Sequence, residues 1–123
     1  SSTVRRFVNI TALAVAQAGE LRLIDIRTPA EWRQTGVAPG AGLVDFYRGP
    51  DALTDYILHE VKGDKDAPIA LICRTGNRTT HMQQVLTEAG FTHVVNIREG
   101  MLGSSAGPGW IARGLPVEAC KTC

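Results

Sequence analysis

Short apolar runs alternate with longer amphipathic ones along this chain, and the alternation predicts strands and helices in turn. Phe7-Val8-Asn9-Ile10 has the length and composition of a strand. Thr11 can then cap a helix that runs through Ala18 and stops at Gly19. Leu21 to Ile26 is a nearly continuous apolar run broken only by Arg22 and Asp25, the pattern of a parallel strand covered on both faces. Asp25 falls at its carboxyl end. Thr28-Pro29-Ala30-Glu31 carries the hydroxyl, the first-turn proline and the third-position Glu of a capping box, so a helix starts there and ends near Gly36.

After the turn from Ala38 to Gly42, Leu43-Val44-Asp45-Phe46 reads as a short strand, followed by a helix with Leu53, Tyr56, Ile57 and Val61 on one face. Gly63 to Pro68 is a polar loop. Ile69 to Cys73 is a further buried strand, and Met82, Val85, Leu86 and Ala89 recur at helical spacing until Gly90. A last strand, His93 to Ile97, precedes a Gly-rich stretch from Gly100 to Gly109, and Trp110 to Arg113 reads as one more helical turn. No internal repeat is visible. The expected fold is a three-layer α/β domain, with a mainly parallel five-stranded sheet and helices on both faces. Sites in such sheets lie beyond the carboxyl ends of strands, which points at the residues following Cys73.

A chain of 123 residues with 44% hydrophobic content fits one compact domain with a single core. Thirteen basic residues face twelve acidic ones, so no broad field is expected to hold nucleic acid or an anionic membrane, and any anion site must be local. No apolar run approaches the length that crosses a bilayer, and Ser1 to Arg6 lack the apolar stretch of a signal peptide, so the expectation is a soluble protein. Three cysteines are too few and too unevenly placed for a disulfide scaffold. At least one thiol must stay free or exchange, which favours a reducing, cytoplasmic setting. The chain begins without Met, and a periplasmic protein with a removed leader and a tail disulfide fits the same count.

Cys73-Arg74-Thr75-Gly76-Asn77-Arg78-Thr79 joins the buried strand to the helix and is the strongest candidate for chemistry. Loop amides and the positive end of the helix dipole can converge on the sulfur and favour the anionic thiolate, the reactive form. Arg74 and Arg78 add positive charge and donors suited to an oxyanion such as thiosulfate, and Gly76 permits a tight turn. Two bland alternatives stand beside this: Cys73 as a small apolar strand-end residue, and the arginines as solvated helix-start residues.

These residues resemble the rhodanese family, and the resemblance runs over nearly the whole chain. Leu23-Ile24-Asp25-Ile26-Arg27 with Glu31-Trp32 is similar to the family's early strand-and-helix signature, and Gly36 to Ala41 to its glycine-proline turn. Cys73 to Thr79 is similar to its active-site loop and Gly114-Leu115-Pro116-Val117 to its ending. The resemblance implies a rhodanese-like domain over residues 1–118 and a tail, 119–123, holding a Cys-x-x-Cys pair. It implies that Cys73 takes the sulfane sulfur and that the backbone amides from Arg74 through Thr75, Gly76, Asn77 and Arg78 to Thr79 hold the persulfide. Arg74 and Arg78 would bind the donor anion. Asp25 and Arg27 would help to order the site, or simply form a strand-end ion pair.

Four residues lie between Cys73 and Arg78, a tighter loop than in phosphatases that use a thiolate, and the smaller cradle suits sulfur rather than phosphate. The chain departs from the family where Val37 replaces a frequent His, where Met101 follows Gly100 in place of a second Gly, and where Ser104 to Pro108 forms a small insertion. Val37, Met101 and Ser104 to Pro108 are expected to border the pocket. Cys120 and Cys123 have redox spacing, but their place at the end of the chain favours frayed tail residues over a redox pair. His59, His81 and His93 are scattered, so no metal is expected, and no nucleotide-binding glycine motif or other cofactor signature appears. Trp32 and Trp110 read as core-edge residues, with Trp110 a candidate for the pocket mouth.

The function expected is transfer of sulfane sulfur from thiosulfate or a related anion, through a Cys73 persulfide, to a thiol or cyanide, with a protein acceptor also open. A sulfur-carrier or persulfide-sensing module that docks to a protein partner would use the same loop. A redox module exchanging Cys73 with the tail pair is the third reading.

Overall fold

The structure, a computed structural model, describes residues 21–123. The strand expected at Phe7–Ile10 and the helix expected at Thr11–Ala18 lie outside the described residues. Four of the five expected strands are present: β1 (Arg22–Asp25), β2 (Gly42–Leu43), β3 (Ile69–Ile72) and β4 (Val94–Asn96). They form one wholly parallel sheet in the order β2-β1-β3-β4. Helix α1 (Pro29–Thr35) connects β1 to β2, α2 (Pro50–Glu60) precedes β3, and α3 (Asn77–Glu88) connects β3 to β4.

Alternation along β3 builds two cores from one strand. Ile69, Leu71 and Cys73 pack with Leu53 and Ile57 of α2 and Met82 and Leu86 of α3. Ala70 and Ile72 turn the other way, onto Leu23, Ala38, Ile97, Met101 and Trp110. All four β3 side chains are buried, as the unbroken apolar run required. Because the strands are parallel, Asp25, Leu43, Ile72 and Asn96 end at the same edge, and Cys73 follows directly from it.

Local signals set the boundaries. Thr28 caps α1 through the Glu31 N–H, and the Glu31 side chain returns to the Thr28 N–H, the reciprocal box read from the sequence. The strand expected over Leu43–Phe46 is shorter than its apolar run. Pairing ends at Leu43, and Asp45 accepts the Tyr47 N–H at 2.9 Å, starting a 3-10 turn over Phe46–Arg48. The helical turn expected at Trp110–Arg113 is a single turn, closed by the Arg113 N–H on the Gly109 carbonyl at 3.1 Å. Among the described residues, no helix is long and apolar enough to cross a membrane.

Candidate active site

Strand β3 delivers Cys73 to the carboxyl edge of the sheet with 1% of its surface exposed. The loop then reverses at Gly76, whose φ of 93° lies in the left-handed region, and α3 begins at the next residue. This turn aims the Gly76 N–H at Cys73 Sγ, 3.1 Å away. A side chain at Gly76 would strike the Arg98 carbonyl, so the position is glycine for both conformation and space. The Thr79 hydroxyl lies 3.6 Å from Sγ and donates to the Gly76 carbonyl, which also accepts the Thr80 hydroxyl at 2.8 Å. No side chain caps α3, leaving its first amides beside the sulfur cradle.

On the β1 side the loop is tied down by charge. Arg78, in the first turn of α3, makes two 2.8 Å hydrogen bonds to the two oxygens of Glu31. Those bonds hold the Glu31 carboxyl down to about 2, against the opposing effect of burial. Glu31 raises the pKa of Arg78 in turn, with further contributions from the nearby Cys73 and Tyr47. Behind this pair, Arg27 grips Asp25 through Nε and Nη2 at 2.8–3.1 Å, both side chains being 1% exposed. The remaining Arg27 donors reach Thr35 Oγ1 at 2.7 Å and the Gly36 carbonyl at 3.0 Å. Asp25 and Arg27 are thus a strand-end ion pair that fastens β1 to the end of α1.

The β4 side is open. Arg74, Thr75 and Asn77 are exposed, and an open cleft of about 650 Å³ runs between Thr75–Thr80 and Ser104–Ala106, with Asn96 and Arg98 in its lining. Ser104 to Ala106 border this cleft as expected; Val37, Gly107 and Pro108 do not line it, and neither does Met101. It is fully buried in the second core, and its N–H donates to the Cys73 carbonyl at 2.8 Å. A side chain at Gly100 would collide with the Arg74 carbonyl, so this segment packs directly under the loop. Trp110 is also fully buried and donates through Nε1 to the Pro116 carbonyl at 2.8 Å, which removes it from the pocket mouth.

The family model for the rhodanese-like domain matches residues 11–106. The chain belongs to the rhodanese-like family. It is 31% identical over 105 residues to a protein of Allochromatium vinosum named sulfurtransferase, covering 85% of each chain. Its fold is similar to that of a rhodanese from E. coli described with anions, at 21% identity and a TM-score of 0.61, covering 81% of this chain and 99% of that one. A Rhodopseudomonas palustris protein described as a possible tyrosine phosphatase has a similar fold at 20% identity and a TM-score of 0.63, covering 87% of this chain and 79% of that one. The family is therefore of sulfurtransferase type, while fold similarity at that identity does not separate sulfur from phosphoryl chemistry.

In this rhodanese-like domain the tail is not frayed at its start. Glu118 exchanges backbone hydrogen bonds with Val37 at 2.7 and 2.8 Å, and beyond it Cys120 and Cys123 are joined as a disulfide. Cys73 is the free cysteine. His59, His81 and His93 are all exposed, and among the described residues no cluster of metal-ligating side chains occurs. Sequence reasoning missed Glu31 as the partner of Arg78, because its capping-box role already accounted for it. It also missed Asn96, although a lone amide in the run Val94-Val95-Asn96-Ile97 was a visible signal.

Proposed function

We propose that this rhodanese-like domain transfers sulfane sulfur through a persulfide on Cys73. The Cys73 thiolate attacks the outer sulfur of thiosulfate or a related donor. A new S–S bond forms, the donor's own S–S bond breaks, and sulfite leaves with the electron pair. The observation that carries this reading is the Gly76 N–H bonded to Sγ at the uncapped start of α3, a cradle that favours negative charge on sulfur. Arg74 and the loop amides through Thr79 supply donors for the anion, and Arg78 adds field while holding the loop through Glu31. The short spacing from Cys73 to Arg78 supports sulfur over phosphate.

A non-turnover carrier that docks to a protein has one observation in its favour. Tyr47, 76% exposed, packs edge-on against Phe46, which in turn meets His81 of α3, so it offers an aromatic contact near the helix that carries Arg78. Steady-state assay with thiosulfate and cyanide or a small thiol separates the two readings. Sustained sulfite release with double-displacement kinetics supports the enzyme, whereas one equivalent of sulfite followed by arrest supports the carrier.

A further inference from the structure

The Cys120–Cys123 disulfide joins two residues of one tail segment rather than two elements of the fold. The tail is attached upstream of it, by Trp110 Nε1 donating to the Pro116 carbonyl at 2.8 Å and by the reciprocal backbone bonds of Glu118 with Val37. Among the described residues, no hydrogen bond runs from residues 119–123 to the rest of the chain. The two cysteines are three positions apart, so their bond closes a very short loop, where a cross-link stabilises least. It can open without releasing either attachment of the tail. The two sulfurs are also unequal. Cys123 is exposed, whereas Cys120 is half-buried and its Sγ lies 3.8 Å from the Thr122 hydroxyl. Neither sulfur carries a proton in the disulfide, so the hydroxyl is the donor in that contact. Thr122 is therefore placed to stabilise negative charge on Cys120, and the exposed Lys121 adds positive charge in the same loop.

We infer that Cys120 and Cys123 form a reversible thiol–disulfide exchange site that takes a dithiol as its reductant, with Cys123 as the sulfur attacked and Cys120 as the leaving thiolate. Exposure admits the attacking thiolate at Cys123, and the thiolate that leaves faster is the better stabilised one, here Cys120 beside Thr122. In the first step a thiolate of the reductant attacks Cys123 Sγ. An S–S bond forms between them, the Cys120–Cys123 bond breaks, and Cys120 keeps its electron pair as thiolate. The second thiolate of the reductant then attacks its own sulfur in this mixed disulfide, Cys123 leaves as thiolate, and the reductant departs as a disulfide. The chain gains two electrons and, on protonation of both thiolates, two protons. Cys73 takes no part, since it is free, buried and bonded to the Gly76 N–H. The exchange site stands whether or not Cys73 carries sulfur.

Brief reaction of the oxidised wild-type chain with glutathione, a monothiol, followed by acid quenching and peptide mapping by mass spectrometry, identifies the sulfur attacked. Glutathione is expected on Cys123 in about tenfold excess over Cys120. Opening by dithiothreitol is expected to slow a few-fold in Thr122→Val, which removes the donor to the leaving sulfur, and to keep its wild-type rate in Cys73→Ser. The reduced and oxidised wild-type chains are expected to unfold at the same temperature, and oxidised glutathione to restore the bond in the reduced one. Glutathione found equally on both sulfurs or mainly on Cys120, or an unchanged rate in Thr122→Val, overturns the assignment of the two sulfurs. Slower opening in Cys73→Ser makes Cys73 a partner in the exchange and overturns its separateness. A lower unfolding temperature after reduction, or a bond that opens only as the chain unfolds, makes the disulfide a staple and overturns the exchange site.

Discussion

The two flanks of the Cys73 loop are built oppositely. On the β1 side every charge that touches the loop is matched: Arg78 by Glu31, and Arg27 behind it by Asp25, Thr35 and Gly36. On the β4 side Asn96 Oδ1 has no partner, and Arg98 has no counter-charge among the described residues. Glu31 belongs both to the α1 capping box and to the Arg78 pair, so the start of one helix holds the start of another. The difference teaches which flank of the loop is held rigid. Satisfied polar groups fix a loop in one conformation, whereas a flank with unsatisfied ones is held less firmly.

Removing the deepest contact of the closed flank is expected to have the largest effect. Arg27→Met leaves the Asp25 carboxylate buried without its cation, and about 3–5 kcal/mol of stability should be lost in urea unfolding. A loss below about 1 kcal/mol would break the claim that this flank is held by charge. Next is Gly76→Ala, which combines a left-handed backbone with a collision at the Arg98 carbonyl and shifts the one N–H bonded to Sγ. Sulfur transfer should fall about 100-fold, the scale seen when an anion-stabilising donor is removed from an active site. An active Gly76→Ala enzyme would show that the cradle does not depend on this turn.

The Glu31–Arg78 pair gives a smaller, pH-dependent effect. The Glu31 pKa in the folded chain is lowered to about 2 from an ordinary 4.5, so its stabilisation is complete above about 4.5 and is lost as the pH falls toward 2. Glu31→Gln should cost about 1 kcal/mol at pH 7, after allowing for partial solvent screening, and should flatten the wild-type loss of stability over that acid range. An unchanged acid slope would remove Glu31 as its source. Smallest is Thr80→Val, which cuts the link from Asn96 to Gly76 while Gly76 N–H still reaches Sγ. Its cost should be about 0.5 kcal/mol, the low end for a neutral hydrogen bond at an exposed position, with sulfur uptake slowed only a few-fold.

Much of this architecture was legible in local patterns. The Thr28–Glu31 box, the apolar run of β3 and the helical spacing of Met82 and Leu86 each carry their own physical cause, and all three elements formed where expected. The position of Cys73 before a glycine turn and a helix start was equally visible. What could not be read were the long-range pairings. Glu31 and Arg78 lie 47 residues apart, and nothing in either local pattern names the other. Met101 was expected at a pocket rim because a family glycine is missing there. The turn after β4, whose Met101 N–H is held by the Cys73 carbonyl, instead sends its side chain into the second core, beneath the loop that it was expected to border. The short β2 reflects a competition that periodicity does not resolve, since Asp45 offers the Tyr47 N–H a local partner in place of the ladder.

The central claim is that Cys73, and no other residue, carries the sulfur. Intact mass after incubation with thiosulfate, followed by peptide mapping, tests it most directly. The account predicts one added sulfur per chain on the peptide containing Cys73 and none on Cys73→Ser. Sulfur appearing on Cys120 or Cys123, or persisting in Cys73→Ser, would contradict it.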